Sequence, residues 1–368
     1  MRIIIDAMGG DNAPAEIVEG AVLAAEIYGS AAIETESGDF IPSPSNIDIT
    51  LVGDVEQIRS AAAERGLNLD RRNIELIHAD QVITMEDPAL SVIREKNASS
   101  MSVGLHMLAE GKGDAFISAG NTGALHAGSS LIVRRIKGIQ RSAIATILPF
   151  EKPMLLIDSG ANTEVLPSHL YQFGMMGALY MKAIFGIENP AVGLLNNGSE
   201  RTKGTQKMVE TYNILEAAAD INFVGNIEGK DVPTGKCDVL VTDGFTGNVL
   251  LKTCEGLASF LFHKLKGTFY KNTMTKLAAL SLKKGLMQLK TEFDSSEYGG
   301  APLLGLSKPV IKAHGSSDAR AIKNAVHQAI SFVDTGIIAD IAQRLQQDAE
   351  NKQTETAAAP AENTETAK

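Results

Sequence analysis

Short apolar runs rich in β-branched residues alternate along this chain with longer stretches of helical periodicity. Nine runs predict strands, at 2–6, 49–53, 74–78, 115–119, 143–148, 154–158, 191–195, 221–225 and 238–242. Most are separated by amphipathic stretches, at 14–29, 54–65, 122–135, 166–184 and 204–219. Near-continuous apolar strands separated by helices indicate the α/β class, with a mainly parallel sheet covered on both faces.

Motifs rich in glycine and asparagine follow five of the predicted strands. They occupy residues 6–14, 120–124, 158–162, 196–200 and 243–248. Because ligands of parallel α/β sheets bind at the carboxyl ends of the strands, the five motifs are predicted to lie on one edge. Each motif alone is also explained by a turn followed by a helix cap. Together, their backbone amides and asparagine side chains predict a pocket for a small anion and a polarised carbonyl group.

Residues 298–305 read Tyr-Gly-Gly-Ala-Pro-Leu-Leu-Gly. Three glycines and a proline in eight residues favour neither an ordinary helix nor a central strand. A second motif, 312–317, contains a lysine, a histidine and Gly-Ser-Ser, and a helical pattern begins at Asp318. A lysine beside a helix N-terminus forms an anion site, whereas a glycine-rich turn with a serine cap is the structural alternative.

The length, composition and net charge of the chain exclude several classes of protein. The 368 residues suffice for one large α/β domain or two smaller ones. No run reaches the roughly 18 apolar residues of a membrane span, and the chain starts with a strand-like sequence in place of a signal peptide. Cys237 and Cys254 lack metal-ligand spacing and fit a reducing cytosol. A net charge of −10 argues against a general nucleic-acid binder.

Two segments differ from this pattern. Residues 34–48 contain a glycine, two prolines and several acids, and they predict a long polar loop. Residues 346–368 are rich in Ala, Thr, Glu and Asn and predict a disordered tail. The single α/β domain is therefore placed at residues 1–345.

Residues 252–292 predict a protruding helical hairpin, broken near Gly267. Between positions 252 and 290 there are eight lysines against one glutamate, which gives +7 within an acidic chain. Leucines and phenylalanines run alongside the lysines. A dimer helix with a solvated charged face is one interpretation. The other is a surface for an acidic protein partner and for anionic lipid headgroups, and both can hold in a dimer.

The sequence lacks the motifs of several common enzyme chemistries. The chain has no G-x-S-x-G nucleophile elbow, no G-x-x-x-x-G-K-[ST] loop and no G-x-G-x-x-G fingerprint. Asp6, Asp11, Asp158 and Asp243 are conceivable metal ligands, but their glycine and asparagine neighbours suit hydrogen bonding equally well, and no metal is expected. What remains is an anion site without an obvious protein nucleophile. Inorganic phosphate is itself a nucleophile, so such a site needs only positioning and oxyanion stabilisation.

At these motifs the chain resembles the phosphate acyltransferases of the PlsX family (acyl-acyl-carrier-protein:phosphate acyltransferases). The resemblance runs from Met1 to about Val333. It rests on residues 2–14, 120–124, 158–162, 243–248, 298–305 and 312–317. The match at 196–200 is looser, and the 34–48 loop and the C-terminal tail depart from the family pattern.

The resemblance implies a three-layer α/β/α fold like that of the isocitrate and isopropylmalate dehydrogenases and the phosphate acetyltransferases, a homodimer, and no cofactor. It implies transfer of a long-chain acyl group from acyl carrier protein to phosphate, giving acyl phosphate for phospholipid synthesis. It also implies a cytoplasmic enzyme associated peripherally with an anionic membrane surface. A downstream glycerol-3-phosphate acyltransferase is a further candidate partner.

The motifs then predict three groups of site residues. The candidate catalytic residues are Lys312, His314, Asn121, Asn162 and Asn248. The candidates for binding phosphate and substrate are Gly9, Gly10, Asp11, Asn12, Gly120, Thr122, Asp158, Lys203, Asp243, Gly299, Gly300, Gly315 and Ser316. The candidates for meeting the carrier protein or the membrane are Lys264, Lys266, Lys271, Leu277, Leu280 and Leu282. His314 is interpreted either as a base or phosphate-orienting group, or as a core or cap histidine.

The sequence is also compatible with two other functions. One is a phosphate acetyltransferase of the same fold that uses coenzyme A thioesters. The other is a non-catalytic partner protein whose basic hairpin is the binding surface. Turnover by the purified protein, and its preference among donors, separates the three.

Overall fold

The computed structural model describes residues 1–29, 32–34, 40–42, 46–292 and 298–358. Its strands are β1 (Arg2–Asp6), β2 (Ala32–Glu34), β3 (Phe40–Pro42), β4 (Asp48–Gly53), β5 (Ile74–His78), β6 (Ala115–Ser118), β7 (Ala143–Pro149), β8 (Pro153–Ile157), β9 (Ala191–Asn196), β10 (Asn222–Glu228), β11 (Val239–Val241), β12 (Ala301–Leu304) and β13 (Val310–Lys312). Its α-helices are α1 (Ala15–Tyr28), α2 (Val55–Glu64), α3 (Ser100–Ala109), α4 (Thr122–Gly128), α5 (Pro167–Phe185), α6 (Gln206–Ala217), α7 (Gly244–Phe269), α8 (Thr273–Glu292), α9 (Ala319–Asp334) and α10 (Ile337–Ala358). All nine predicted strands are present, seven of them with shifted ends.

Eleven strands form one sheet, in the order β10-β9-β11-β8-β7-β12-β13-β6-β1-β4-β5. The sheet is covered by helices on both faces. Along β1, Ile3 and Ile5 point to one face of the sheet and Ile4 points to the other. The first face packs against α1, α2, α5, α6, α9 and α10. The second packs against α3, α4 and the first turns of α7. The predicted three-layer α/β/α arrangement with a mainly parallel sheet is therefore confirmed.

The direction of the strands corrects one prediction. Strands β1, β4, β5, β6 and β13 are mutually parallel, and β8, β9, β10 and β11 are parallel to one another. Between these halves, β7 is antiparallel to both β8 and β12, and β12 is antiparallel to β13, so the two halves run in opposite directions. The motifs after β8, β9 and β11 consequently do not share an edge with those after β1 and β6. The prediction that all five lie on one edge was wrong.

Strand β12 corrects a second prediction, since it lies inside the glycine-rich segment 298–305 and in the middle of the sheet. The strand divides its pairing between two neighbours. Ala301 and Pro302 pair with β13, whereas Leu303 and Leu304 pair with β7. Pro302, which has no amide hydrogen, is thus paired on one side only, and this makes a proline tolerable in a central strand.

The two segments outside the repeating pattern also differ from expectation. Within the predicted loop 34–48, β3 pairs with β2 in a small antiparallel sheet, and residues 35–39 and 43–45 lie outside the described residues. Helix α10 extends to Ala358, so residues 346–358 of the predicted disordered tail are helical, and 359–368 lie outside the described residues. The Ala-, Glu- and Gln-rich sequence has high helix propensity, which explains the extension. The domain boundary at 345 stays a prediction.

The basic hairpin consists of α7 and α8, but its break does not occur at Gly267, which lies inside α7. The chain turns at residues 270–272 instead. The Asn272 side chain accepts a hydrogen bond from the Thr275 amide (2.9 Å), and the Thr275 hydroxyl accepts one from the Asn272 amide (3.0 Å). This reciprocal cap fixes the start of α8, whereas one exposed glycine costs a helix only about 1 kcal/mol. Over the described ranges, every helix falls short of the length or apolarity that crossing a membrane requires.

Candidate active site

A cavity of about 660 Å³ lies where the two halves of the sheet meet. Its walls come from β7, from the segments that flank β12 and β13, from the loop before α4, and from one side of α7. Of the predicted site residues, nine line it: Gly120, Thr122, Asn248, Gly299, Gly300, Lys312, His314, Gly315 and Ser316. The volume lies within the range of about 300–1,000 Å³ that holds small-molecule ligands.

Lys312 ends β13 and provides a positive charge at the cavity wall. Its Nζ donates hydrogen bonds to the backbone carbonyls of Ala119 (3.3 Å) and Ala313. An ammonium group has three donors, so one remains for a ligand. Burial lowers the pKa of Lys312 to about 8, against the opposing attraction of Asp6 and Asp11. A bound anion would compensate this desolvated charge.

His314 is held between α7 and its own loop. Its Nδ1 lies 2.8 Å from the Ser316 hydroxyl, and its Nε2 lies 3.4 Å from Nζ of Lys252. Lys252 in turn donates to Glu255 (2.8 Å), one turn further along α7. Burial lowers the pKa of His314, and the neighbouring Lys252 ammonium lowers it further. A neutral imidazole between two ammonium groups is suited to accept a proton from an anion that both lysines attract.

The loop after β1 supports this wall from behind without lining the cavity. The Asp11 amide donates to the Gly315 carbonyl (2.8 Å), and the Asn12 side chain donates to the carbonyls of Ser316 (3.1 Å) and Ser317 (3.3 Å). A Cβ atom at Gly9 would lie 2.5 Å from the Asp6 carboxylate, and one at Gly10 would lie 3.0 Å from the Gly315 carbonyl. The loop 9–12 therefore positions residues 315–317, and the predicted contact of its members with phosphate stays a prediction.

The N-terminus of α9 was expected to bind the anion, and its hydrogen bonds correct this. The Ala321 amide donates to the Asp318 side chain (2.8 Å), and the Ala319 amide donates to Glu16 (2.8 Å). Two carboxylates thus occupy the donors that an anion would need. The lysines, and not this helix end, supply the attraction for an anion.

Two of the three predicted oxyanion donors have their amides engaged in structural contacts. The Asn121 Nδ2 donates to three backbone carbonyls in residues 84–87, and its Oδ1 caps α4. The Asn162 Nδ2 donates to the Ser142 carbonyl and to Asp158 (both 2.8 Å). The geometry therefore favours Asn248, which is exposed at the cavity wall, and the oxyanion role of Asn121 and Asn162 stays a prediction.

Three further predicted binding residues do not line the cavity. The Asp158 carboxylate accepts from the amides of Gly160, Ala161 and Asn162 and so organises its own turn. Asp243 is the N-cap of α7 and accepts from the Thr246 amide (2.8 Å). Lys203 follows β9, which three strands separate from β12, and its partner is Glu200 at 3.9 Å. Asp158 thus organises a turn and Asp243 caps a helix, and the binding roles predicted for the three residues stay predictions.

Lys252 and Glu255 are the functional candidates that sequence reasoning missed. They lie one and two turns beyond Asn248 on α7, on the same side of the helix. The helical spacing of Lys252 and Glu255 from Asn248 is present in the sequence. The basic composition of residues 252–292, however, favours assigning both residues to the hairpin. Among the described residues there is no group of three or more His, Cys, Asp or Glu side chains arranged to hold a metal ion.

Removing the Lys252 charge is expected to separate its role from that of the hairpin lysines. Lys252→Met should raise the KM for phosphate ten- to a hundredfold, because a charged hydrogen bond contributes about 1.5–3 kcal/mol. It should also raise the pKa of His314, so that the acid limb of the kcat/KM profile moves to higher pH. The matched control, Lys266→Met on the same helix beyond the cavity, should change neither. Identical phosphate KM values and pH profiles for wild type and Lys252→Met would remove Lys252 from the site.

A family model described as fatty acid synthesis protein matches residues 1–340. The chain belongs to the fatty acid synthesis protein family. It is 46% identical over 344 residues to the phosphate acyltransferase of Alkaliphilus oremlandii, covering 93% of this chain and 97% of that one. It is 44% identical to the phosphate acyltransferase of Bacillus licheniformis, covering 95% of this chain and 100% of that one. The resemblance to PlsX-family phosphate acyltransferases is thereby confirmed.

Solved structures of distant sequence share the fold of this family member. A phosphotransacetylase from Streptococcus pyogenes superposes with a TM-score of 0.54 at 16% identity, covering 94% of each chain. The EutD phosphotransacetylase from Staphylococcus aureus gives a TM-score of 0.53 at 15% identity, covering 92% of this chain and 94% of that one. At such low identity these similarities establish the fold alone.

Proposed function

We propose that this protein transfers a long-chain acyl group from the thioester of acyl carrier protein to inorganic phosphate, forming acyl phosphate for phospholipid synthesis. The names of the close relatives support the reaction. The observation that carries the proposal is the convergence of Lys312, Lys252 and His314 on one cavity. This arrangement attracts a small anion and offers a neutral base beside it.

The reaction needs no covalent step on the protein. Phosphate lies between Lys312 and Lys252, and one of its oxygens attacks the thioester carbonyl carbon. The carbon–oxygen bond forms, the carbon–sulfur bond breaks, and the thiolate leaves. His314 takes the proton of the attacking phosphate and returns it to the thiolate. Asn248 and the amides of the 298–301 segment stabilise the oxyanion, where one donor is worth about 10²–10³ in turnover.

Acyl phosphate can be trapped directly. Purified protein, acyl-carrier thioester and phosphate should give an acyl hydroxamate on addition of hydroxylamine, at a rate that depends on phosphate. Replacing the carrier thioester by the coenzyme A thioester decides between this proposal and a phosphate acetyltransferase-like enzyme. Absence of phosphate-dependent hydroxamate with either donor would refute the activity.

A second scheme has one specific observation in its favour. The Ser316 hydroxyl lies 2.8 Å from Nδ1 of His314, which is the geometry of a nucleophile and its base. In that scheme Ser316 would be acylated first and phosphate would attack the acyl-serine. The two schemes differ in whether the thiol leaves before phosphate arrives.

The hairpin supports the proposed partners. Large side chains of α7 are exposed by about half in a single chain: Leu257, Phe260, Leu261 and Leu265. This apolar stripe fits a second copy of the chain, and so a homodimer. On α8, Leu280 and Leu282 are exposed next to Lys283 and Lys284, which fits peripheral contact with an anionic membrane.

The predicted carrier and membrane residues all lie on these helices. Lys264 and Lys266 belong to α7, Lys271 lies in the turn, and all three are exposed. Leu277 lies in α8, and its side chain is outside the described residues. Contact of the three lysines with the acidic carrier protein stays a prediction.

A negative charge introduced at the α8 surface is expected to weaken membrane binding. Leu280 is 66% exposed, so Leu280→Glu should leave the fold unchanged and lower partition onto anionic vesicles ten- to a hundredfold, because one buried leucine contributes about 1.5–3 kcal/mol. Cosedimentation with phosphatidylglycerol vesicles measures this. Val224→Glu places the same charge at an exposed apolar position outside the hairpin and should bind as wild type does. Equal binding of Leu280→Glu and wild type would disprove the membrane role.

A further inference from the structure

Ser316 and His314 lie in one short loop after Lys312, and both line the cavity. The Ser316 hydroxyl lies 2.8 Å from Nδ1 of His314. The Ser316 backbone amide also donates a hydrogen bond to this nitrogen, at 3.2 Å. Two groups of one residue thus meet a single ring nitrogen, and they determine which nitrogen of the ring carries the hydrogen.

The backbone amide decides the tautomer of His314. An amide N–H can only donate, so Nδ1 presents its lone pair and the neutral ring carries its hydrogen on Nε2. The Ser316 hydroxyl can rotate about its C–O bond, and it then donates to Nδ1 as well. In this tautomer the hydroxyl gives its hydrogen to the ring, and the lone pairs of its own oxygen are not used by the ring.

The other ring nitrogen is poorly placed to receive a proton. Nε2 lies 3.4 Å from Nζ of Lys252, beyond the range of about 2.7–3.2 Å that is typical of N–H hydrogen bonds. Glu255 holds Lys252 in this place through a 2.8 Å hydrogen bond. The ammonium attracts an anion to the cavity, but it repels a second positive charge on the same side of the ring. A proton taken up by His314 therefore arrives at Nδ1, which Ser316 covers.

The backbone around Ser316 is fixed by its own loop and by a neighbouring one. The Ser317 amide donates to the His314 carbonyl (3.0 Å) and closes a four-residue turn. The Asn12 side chain donates to the Ser316 carbonyl (3.1 Å). Across the described part of the chain, no protein group donates to the Ser316 hydroxyl. Its oxygen is therefore free to accept a hydrogen bond from a ligand in the cavity.

We infer that Ser316 is a catalytic residue that relays a proton between phosphate and His314. As a phosphate oxygen attacks the thioester carbon, the hydroxyl of the phosphate gives its proton to Oγ of Ser316, and Oγ gives its own proton to Nδ1 of His314. The imidazolium later returns the proton through Oγ to the departing thiolate. Ser316 ends unchanged and forms no covalent bond. This inference rests on the proposed function and gives Ser316 a role other than that of a nucleophile.

Nitrogen NMR of protein labelled with nitrogen-15 in its histidine rings determines the tautomer without turnover. The chain has seven histidines, and comparison with His314→Gln identifies the signals of His314. We expect a bare Nδ1 and a protonated Nε2 at a pH above the pKa of His314. A protonated Nδ1 would overturn the inference, because the hydroxyl would then accept from the ring and could not pass a proton to it.

The kinetics of Ser316 variants test the relay in the reaction itself. Ser316→Ala should lower kcat at least about a hundredfold, the lower bound for general acid–base catalysis, with little change in the KM for phosphate. Ser316→Thr keeps a hydroxyl and should be at least about tenfold faster than Ser316→Ala. The acid limb of the kcat/KM profile, which reports protonation of His314 in wild type, should be absent in Ser316→Ala. A serine with only a structural role would leave that limb in place.

The double variant of Ser316→Ala with His314→Gln completes the test. If both residues act in one relay, the double variant should be no slower than the slower single variant. Losses that multiply, or unchanged turnover in Ser316→Ala, would overturn the inference. A burst of thiol in the absence of phosphate would also overturn it, because Ser316 would then be a nucleophile. Failure of the proposed function is a separate result, in which the wild type forms no acyl phosphate whatever the tautomer of His314.

Discussion

Replacing Lys312 by methionine is expected to lower kcat/KM for phosphate on the order of 10³-fold while the protein stays folded. Lys312 supplies a desolvated ammonium with one donor free for a ligand, and methionine keeps the length and apolar character of the side chain. Methionine leaves the carbonyls of Ala119 and Ala313 without the Nζ donor, so the thermal unfolding temperature should fall modestly while the transition stays cooperative. Initial rates at varied phosphate, together with a melting curve, measure both effects.

The pH dependence of the same variant gives an independent check. Burial lowers the pKa of Lys312 to about 8 in the empty protein, so the ammonium that attracts phosphate is lost as pH rises through that value. Wild-type kcat/KM for phosphate should therefore fall above about pH 8, and Lys312→Met should lack this limb. Stability should change in the opposite sense. The lysine of the unfolded chain keeps its proton up to its ordinary pKa of about 10.4, whereas the folded protein loses it near pH 8. The wild type without phosphate should therefore gain stability between about pH 8 and 10.

A Lys312→Met enzyme with an ordinary phosphate response would exclude Lys312 from the phosphate site. Loss of activity accompanied by loss of the folded state would show a structural role instead. The two outcomes are distinguished by the melting curve.

Replacing Gly299 by alanine is expected to destabilise the protein by about 3 kcal/mol. Gly299 has φ of +84°, which disfavours any side chain, and a Cβ atom there would lie 2.2 Å from the Asn324 carbonyl. That carbonyl belongs to the backbone of α9, so it cannot move without displacing the helix. Denaturant unfolding of wild type and variant measures the difference.

Gly256→Ala is the matched control, because Gly256 lies within α7 and a Cβ atom there meets nothing within 4 Å. It should stabilise the protein by about 0.5–1 kcal/mol through higher helix propensity. Equal unfolding free energies for Gly299→Ala and wild type would mean that the close approach of residues 298–300 to α9 is not required.

The strands of this fold were predictable, but their directions were not. Apolar runs and helical spacing identified β1, β4 to β11 and most of the flanking helices, because these patterns follow from burial. Direction depends on connections, and the important connection was the five residues between predicted strands 143–148 and 154–158. That length suits an antiparallel hairpin, not a helical crossover, and it reverses the second half of the sheet.

The site was predicted where a charged side chain stood in a loop motif and missed where it stood in a regular helix. Lys312 and His314 lie in a motif and line the cavity. Lys252 lies in a uniformly basic stretch, where nothing local distinguishes it from Lys266. Asn121 and Asn162 pose the opposite difficulty, because an asparagine in a glycine-rich motif suits substrate binding as well as it suits capping. Only their hydrogen bonds separate the two roles.

Thiol release from an acyl thioester, measured at enzyme concentrations comparable to the donor and with phosphate removed, tests the direct attack of phosphate. If phosphate held by Lys312 and Lys252 is the nucleophile, no thiol appears until phosphate is added, and each thiol then accompanies one acyl phosphate. A burst of thiol equal to the enzyme concentration without phosphate, absent in Ser316→Ala, would contradict the account and establish an acyl-serine intermediate.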